Sequence, residues 1–462
     1  MMTVQKSGLK LQQIIRNLTG LFVILMLIGL MQPKKGVAQV QSAIVTADSI
    51  TYALYLQQNW DKLIVEGEKA LKTGVDFYYL QMRIAIAWYV KRNFRHAIVH
   101  FENALKYDQN NQIVLEYLYF AYLFAGRDYD MRRINHRLSD EVINRSKTQK
   151  NKFLHELYFE GAYGMAGDLS SQNKQGRHNQ YDSIYTETWK YDQLNYLHAG
   201  AKFNIFPWLS LYQGYSRLTS DFSQEISYFQ QPVETFVEKA RQHEYYGNAE
   251  ISPASGLKIT PAWHLCWIDY DERIAYYDVM NLNLGFDTID WKKENYTFSL
   301  SIIKDLKKFA FEASGVYSDF EMKKLKQAGL AVHFYPMGNS DLFSKTGFEY
   351  VWSDNDDYLV FNQLLGFKPT EKTWFHAEMT IGNLRDYAEK NAYVIYNAPE
   401  EINYKVEFFL LHNLNKHLDL SLRYRYMQRE NQLLAYIDDD QSTMITTKYP
   451  YHTFITGLTW RL

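Results

Sequence analysis

The chain has 462 residues, 50 Lys plus Arg against 52 Asp plus Glu, and a formal net charge of −2. That length accommodates more than one domain, and that balance leaves no field to draw nucleic acid to the surface. Aromatic residues make up 16 %, which suits an aromatic-rich soluble β domain and a membrane barrel with interfacial girdles alike.

Residues 1–38 read as an export signal. Lys6, Lys10 and Arg16 precede an apolar run over 18–31, and Gly36-Val37-Ala38 places small residues at the −3 and −1 positions of a cut after Ala38. The run is shorter than the roughly 20 residues that span a bilayer as a helix. Lys34 and Lys35, between that run and the cut, keep an uncleaved anchor as the alternative. No Cys follows the apolar segment, which argues against a lipid-anchored N-terminus. No later segment is apolar enough for a spanning helix, so membrane insertion would require a closed barrel.

Residues 45–150 carry a period of 34. At that offset Asn59-Trp60-Asp61-Lys62 aligns with Asn93-Phe94-Arg95-His96, and Lys69-Ala70-Leu71-Lys72 with Asn103-Ala104-Leu105-Lys106. The clearest copy, 78–111, resembles the tetratricopeptide repeat family, a helix–turn–helix unit. Ile84, Ala85 and Trp88 stand at its first-helix packing positions, and Phe94, Ala97, Phe101 and Ala104 at those of the second. Small residues let helices approach, and aromatics fill the holes between them. Gln109 stands where the family has Pro, and Tyr119 where it has a small residue. The following copy includes Gly126 and is expected to lose register near Asp128-Tyr129. The resemblance implies two to three repeats that dock a periplasmic protein partner, or serve only as a spacer.

From Phe153 onward the apolar period changes to 2. Leu418, Leu420, Leu422, Tyr424 and Tyr426 alternate with Asp419, Ser421, Arg423 and Arg425. Leu197, Ala199, Ala201 and Phe203 likewise alternate with His198, Gly200 and Lys202, and Leu282, Leu284 and Phe286 with Asn283, Gly285 and Asp287. Turn signals fall at 206–208, 252–256, 336–339, 368–371 and 413–417. Longer polar stretches at 166–190, 221–239, 382–401 and 428–447 read as loops. Short turns alternating with long loops mark a membrane barrel with its short turns in the periplasm. Residues 453–462 put Phe454, Leu458, Trp460 and Leu462 on one face. They resemble the terminal strand read by the outer-membrane insertion machinery, with Leu462 where an aromatic is usual.

The expected fold is therefore α + β and multidomain. A tetratricopeptide-type α-helical array over 45–150 precedes an antiparallel transmembrane β-barrel over 151–462. The barrel should have about 14 strands, bracketed by 12 and 16, with 290–308 the least certain strand.

The inward polar set mixes Lys202, Arg423, Arg425 and Arg461 with Asp287, Glu378 and Asp419. Lys202, Asp287, Glu378, Asp419, Arg423 and Arg425 are the candidate pore lining. Arg423 and Arg425 would make a positive stripe favouring anionic solutes if no carboxylate stood opposite. His376-Ala377-Glu378 puts an imidazole and a carboxylate on one face, a spacing common by chance. The single cysteine, Cys266 in Trp263-His264-Leu265-Cys266-Trp267, excludes an intrachain disulfide and reads as a packing residue. No catalytic or metal motif stands out and no cofactor is expected.

The layout of helical repeats before a barrel is similar to exopolysaccharide-export porins of Gram-negative bacteria and to YaiO-type outer-membrane barrels. The resemblance implies a channel or export porin in the outer membrane, its repeats in the periplasm and its barrel against outer-membrane lipid. A non-conducting binding or scaffolding barrel and a barrel hydrolase or acyl-modifying enzyme are the alternatives.

Overall fold

A computed structural model describes residues 37–167, 185–228, 231–278, 283–320, 323–352, 357–397, 400–436 and 442–462. The expected export signal lies outside them, apart from Val37 and Ala38. The chain divides into two compact units, the first ending at Ile84 and the second beginning at Ala85.

Seven helices come first among the described residues: α1 (Val37–Leu56), α2 (Trp60–Lys72), α3 (Tyr78–Val90), α4 (Phe94–Leu105), α5 (Gln112–Phe124), α6 (Asp128–Asn135) and α7 (Asp140–Ser146). Helix starts at Trp60, Phe94 and Asp128 recur at 34 residues, so the register expected to fail at Asp128 is kept. The turn before each start has one residue with left-handed backbone, at Gln58, Arg92 and Gly126 (φ 52°, 58° and 69°). Only glycine adopts that conformation without steric cost. Asn59 and Asn93 then cap α2 and α4 by accepting from the backbone N–H of Lys62 and His96. In the first unit Gly67 lets α2 approach α3 closely, since a Cβ there would lie 2.6 Å from Ile84. The Arg83 guanidinium, 2.7 Å from Asp48 and 3.0 Å from Thr51, ties α3 to α1.

In the second unit fourteen antiparallel strands close into a barrel. They are β1 (Leu154–Ala166), β2 (Tyr185–Phe206), β3 (Leu209–Tyr228), β4 (Gln231–Ala254), β5 (Leu257–Asp278) and β6 (Asn283–Asp305). Then come β7 (Phe309–Phe320), β8 (Lys323–Phe334), β9 (Leu342–Trp352), β10 (Tyr358–Thr370) and β11 (Thr373–Ile381). A separate two-stranded hairpin, β12 (Tyr387–Glu389) and β13 (Val394–Tyr396), interrupts the wall sequence. The wall resumes with β14 (Glu401–Asn413), β15 (Leu418–Tyr436) and β16 (Ser442–Arg461), and β16 pairs with β1 to close it.

Side chains sort by face. In β6, Tyr296, Phe298, Leu300 and Ile302 are exposed on the outside, while Asn295, Thr297, Ser299 and Ser301 are buried within. Leu330, Phe348, Leu422 and Phe454 continue the outer apolar surface, and Trp208, Phe309, Phe367 and Trp460 stand exposed near the short-turn end. A soluble β domain buries its apolar faces; here the greasy face is the convex one. The stretch 290–308, least certain as a strand, forms most of β6 and the turn that follows. The polar stretches 221–239 and 428–447, read as loops, are largely strand. β3 and β4 stay paired out to Tyr228 and Gln231, and β15 and β16 out to Tyr436 and Ser442. Backbone pairing persists there, although polar residues interrupt the apolar alternation that would reveal it.

Candidate functional site

The fold places its unusual chemistry inside the barrel. After β11 the chain leaves the wall at Gly382, whose φ is 138° and where a Cβ would lie 2.7 Å from the Leu359 carbonyl oxygen. Residues 383–397 then fold inward and form the β12–β13 hairpin. Its turn holds Lys390, Asn391 and Ala392 consecutively in left-handed backbone (φ 54°, 57° and 61°), at a cost of roughly 1–2 kcal/mol for each residue unsuited to it. Contacts around the turn offset that cost.

Apolar hairpin residues Leu384, Tyr387 and Tyr396 join Phe320, Val351 and Tyr451 of the wall in one buried cluster. Gln327 clips the hairpin by donating to the Ala388 carbonyl and accepting from its N–H, at 3.1 and 2.9 Å. The Lys390 ammonium lies 2.7 Å from Glu407 and 3.4 Å from Glu378. Glu389 pairs with Lys405, which is fully buried in β14. Burial alone would raise the Glu389 carboxyl, but Lys405, Lys390 and Arg425 outweigh it and hold it at about 2.

Beside the hairpin lies a cavity of about 890 Å³. Leu194, Phe222, Ile268 and Met427 give it apolar walls, and Glu160, Glu272, Lys293 and Arg423 give it charges of both signs.

The expected pore-lining residues do not form one lining. Lys202 sits 2.7 Å from Glu250, which Arg132 of α6 also faces at 3.4 Å. Asp287 is exposed near the start of β6. Glu378 accepts from Asn362 at 2.7 Å, whereas His376 packs against Phe343 and Phe409, so the two form no dyad. Asp419 is buried against Asn413 and Arg461. Arg423 and Arg425 do line the cavity. The positive stripe was expected only if no carboxylate stood opposite, and carboxylates do: Glu407, the register partner of Arg425, lies 2.8 Å from Arg425 and 3.3 Å from Arg423, and Glu160 lies 3.7 Å from Arg423.

The second half of the helical segment seats on the short-turn end of the barrel. Ala85, Phe94, Ala97, Phe101 and Ala104 are buried, and Trp88 is half-buried against His96 with ring centroids 4.8 Å apart. Arg95 is buried over the Tyr335 ring, 3.4 Å from its centroid, and pairs with Asp305, which also accepts from the Tyr129 hydroxyl. Arg127 donates to Asp130 at 2.8 Å and to Ser255 at 2.7 Å, and the Gly256 N–H reaches Asp130 at 3.1 Å.

Two inward clusters escaped the sequence reading. His198 Nδ1 lies 2.8 Å from Ser216 and its Nε2 2.6 Å from the Tyr212 hydroxyl. Glu244 on β4 stands opposite Cys266 on β5, and His264 is one inward position away from that cysteine. The His264-Leu265-Cys266 spacing was the available signal. The carboxylate that completes the group comes from another strand.

No protein-family model and no curated protein matches the sequence. Solved structures with similar strand arrangements include a FadL homologue of Pseudomonas aeruginosa, 6 % identical over 66 % of this chain and 90 % of that one, with TM-score 0.42. The toluene transporter TodX of Pseudomonas putida is also 6 % identical, over 67 % and 90 %, with TM-score 0.42. The outer membrane protein Omp33 of Acinetobacter baumannii is 8 % identical over 68 % and 100 %, with TM-score 0.31.

Proposed function

We propose that this chain is an outer-membrane β-barrel that passes a small solute through a lumen gated by the β12–β13 hairpin. The apolar exterior, the aromatic side chains near the short turns and the longer strand pairs at the opposite end support placement across a bilayer with α4 to α7 on the periplasmic side. The observation that carries the gating is the hairpin itself, seated across the interior beside a cavity of about 890 Å³. A cavity with apolar walls and balanced charges suits a small amphipathic solute better than an anion. A hairpin across the lumen is a poor passage for a polysaccharide. Helices α4 to α7 would cap the periplasmic mouth, and the helical segment, read as tetratricopeptide-type repeats, would offer a surface to a periplasmic partner.

The second reading is a binding barrel with a permanently filled lumen, favoured by the burial of the Lys405–Glu389 pair. Planar-bilayer recordings separate the two. The full-length protein should give small or rare openings, and replacing residues 384–397 by a short Gly/Ser linker should give large, stable steps. Equal conductance in both proteins would overturn gating by this segment, and no current in either would favour the filled barrel.

A further inference from the structure

We propose that Glu244, His264 and Cys266 form a transition-metal site on the barrel wall beneath the hairpin, with zinc the ion best matched to them. Their ligand atoms lie within 4.8 Å of one another, and all three side chains are buried on the inner face. Tetrahedral ligands at zinc bond lengths sit about 3.5 Å apart, and His264 Nε2 is 3.5 Å from Glu244 Oε2. A shift of about one ångström would bring in the sulfur. Period 2 explains the arrangement: His264 and Cys266 point the same way from β5, and the antiparallel register places Glu244 directly across from Cys266.

The orientation of the imidazole supports a ligand rather than a packed core histidine. His264 Nδ1 lies 2.7 Å from the Ala392 carbonyl oxygen. A carbonyl can only accept, so Nδ1 donates to Ala392 and Nε2 is the ring nitrogen turned toward the cluster. That Nε2 is buried in a residue 2 % exposed and has no hydrogen-bond partner. Leaving a buried polar atom without a hydrogen bond is costly, and coordination of a metal ion by that nitrogen would remove the cost. A histidine held by a backbone carbonyl through its second nitrogen is the usual outer support of a metal ligand. Glu244 has the same kind of support, since Gln242 donates to its Oε1.

One thiolate, one imidazole and one carboxylate make a mixed S, N, O donor set that suits zinc or cobalt and disfavours magnesium or calcium. Three protein ligands leave a fourth position for water or a lumenal ligand. Glu244 and His264 line the cavity, so that position can face it. Binding breaks the Cys266 S–H bond, forms a metal–sulfur bond and releases the proton to solvent. Both outer supports depend on the inward segment: Ala392 holds His264, and Asn397 donates to Gln242 at 3.2 Å. The ion would therefore bind most tightly when the hairpin is seated.

Cobalt titration of the detergent-solubilised full chain tests this without assuming any transport activity. The expected result is one tightly bound Co²⁺ per chain, with a sulfur-to-cobalt charge-transfer band and the intense visible bands of a tetrahedral site, displaced by Zn²⁺. Cys266→Ser should abolish the charge-transfer band while heat-modifiable migration reports a folded barrel. Gln242→Ala should weaken binding by about 10- to 100-fold with the band retained. Absence of a charge-transfer band in the unaltered protein, or the same spectrum in the folded Cys266→Ser protein, would overturn the site. Conductance plays no part in this readout, so failure of the gating proposal leaves it standing.

Discussion

Lys390 Nζ lies 2.7 Å from Glu407 Oε1, and Glu407 is the register partner of Arg425 on the adjoining strand. One wall carboxylate thus holds the hairpin turn and also neutralises Arg423 and Arg425. Removing one partner from a buried ionic group costs about 3–5 kcal/mol, because the charges left behind are neither solvated nor paired. Glu407→Gln would take the ion-pair partner from Arg425 and leave Lys390 and Arg423 with only the longer contacts to Glu378 and Glu160, at 3.4 and 3.7 Å. The hairpin should lose its seat before the wall loses its ladder, since the wall keeps its backbone pairing. Hydrogen exchange at residues 387–396 should speed up markedly in a barrel that still migrates as folded. Unchanged protection there would mean that the apolar cluster alone seats the hairpin.

The pH dependence of seating follows from Glu389. Its carboxyl is held at about 2 in the folded protein, against about 4.3 for an unperturbed glutamate. A depressed value contributes stability that is fully present above about pH 4.3 and is lost as pH falls toward 2. Hairpin exchange, corrected for the intrinsic rate, should be flat above about pH 5 and rise below it. Glu389→Gln should flatten the acid limb. An acid limb that survives the substitution would assign it to other carboxylates.

Arg95 makes a comparable bond at the other end. It is buried, stacks on Tyr335 and pairs with Asp305, while its backbone N–H donates to the Gly338 carbonyl at 2.9 Å. Arg95→Met keeps much of the packing volume but takes from Asp305 its ion-pair partner, leaving the Tyr129 hydroxyl hydrogen bond and the more distant charge of Arg127. A loss of about 3–5 kcal/mol is expected, concentrated in α4 to α6, with little change in the strands. Protease cleavage within 94–146 of the folded barrel should accelerate. Equal cleavage rates would show that the ionic contact is dispensable for seating these helices.

How much of this was legible depends on whether the determining contact is local. The alternation around Leu420–Arg425 and the turns at 206–208 and 252–256 set faces and strand ends, because period 2 and turn chemistry are properties of neighbouring residues. The 34-residue spacing of Trp60 and Phe94 was visible for the same reason, whereas the third helix start fell at Asp128-Tyr129, where the register was expected to fail because no aromatic stands at the position of Trp60 and Phe94. The hairpin was not legible. Residues 382–401 are polar enough to read as an external loop, and their inward course depends on Lys405, Gln327 and His264, which belong to distant strands. The charge of the lumen failed likewise: Arg423 and Arg425 are adjacent in sequence terms, whereas Glu407, which cancels them, is known only from the β14–β15 register.

The placement across a bilayer can be tested on the outer surface by contrasting two positions. Leu330 is 71 % exposed on β8, in the outward row with Phe348 of β9 opposite it. In lipid, Leu330→Arg puts a guanidinium against hydrocarbon, at a cost of about 2–4 kcal/mol near the bilayer midplane. In water the same change would exchange an exposed apolar side chain for a soluble one at almost no cost. Asp287, exposed near the start of β6, supplies the contrast, since Asp287→Arg exchanges one exposed charge for another under either reading. Denaturant unfolding of protein inserted in vesicles should therefore separate the two variants, with Leu330→Arg destabilised and Asp287→Arg close to the unaltered protein. If both variants unfold with the unaltered protein, the convex apolar face is not in contact with lipid, and the membrane reading fails with it.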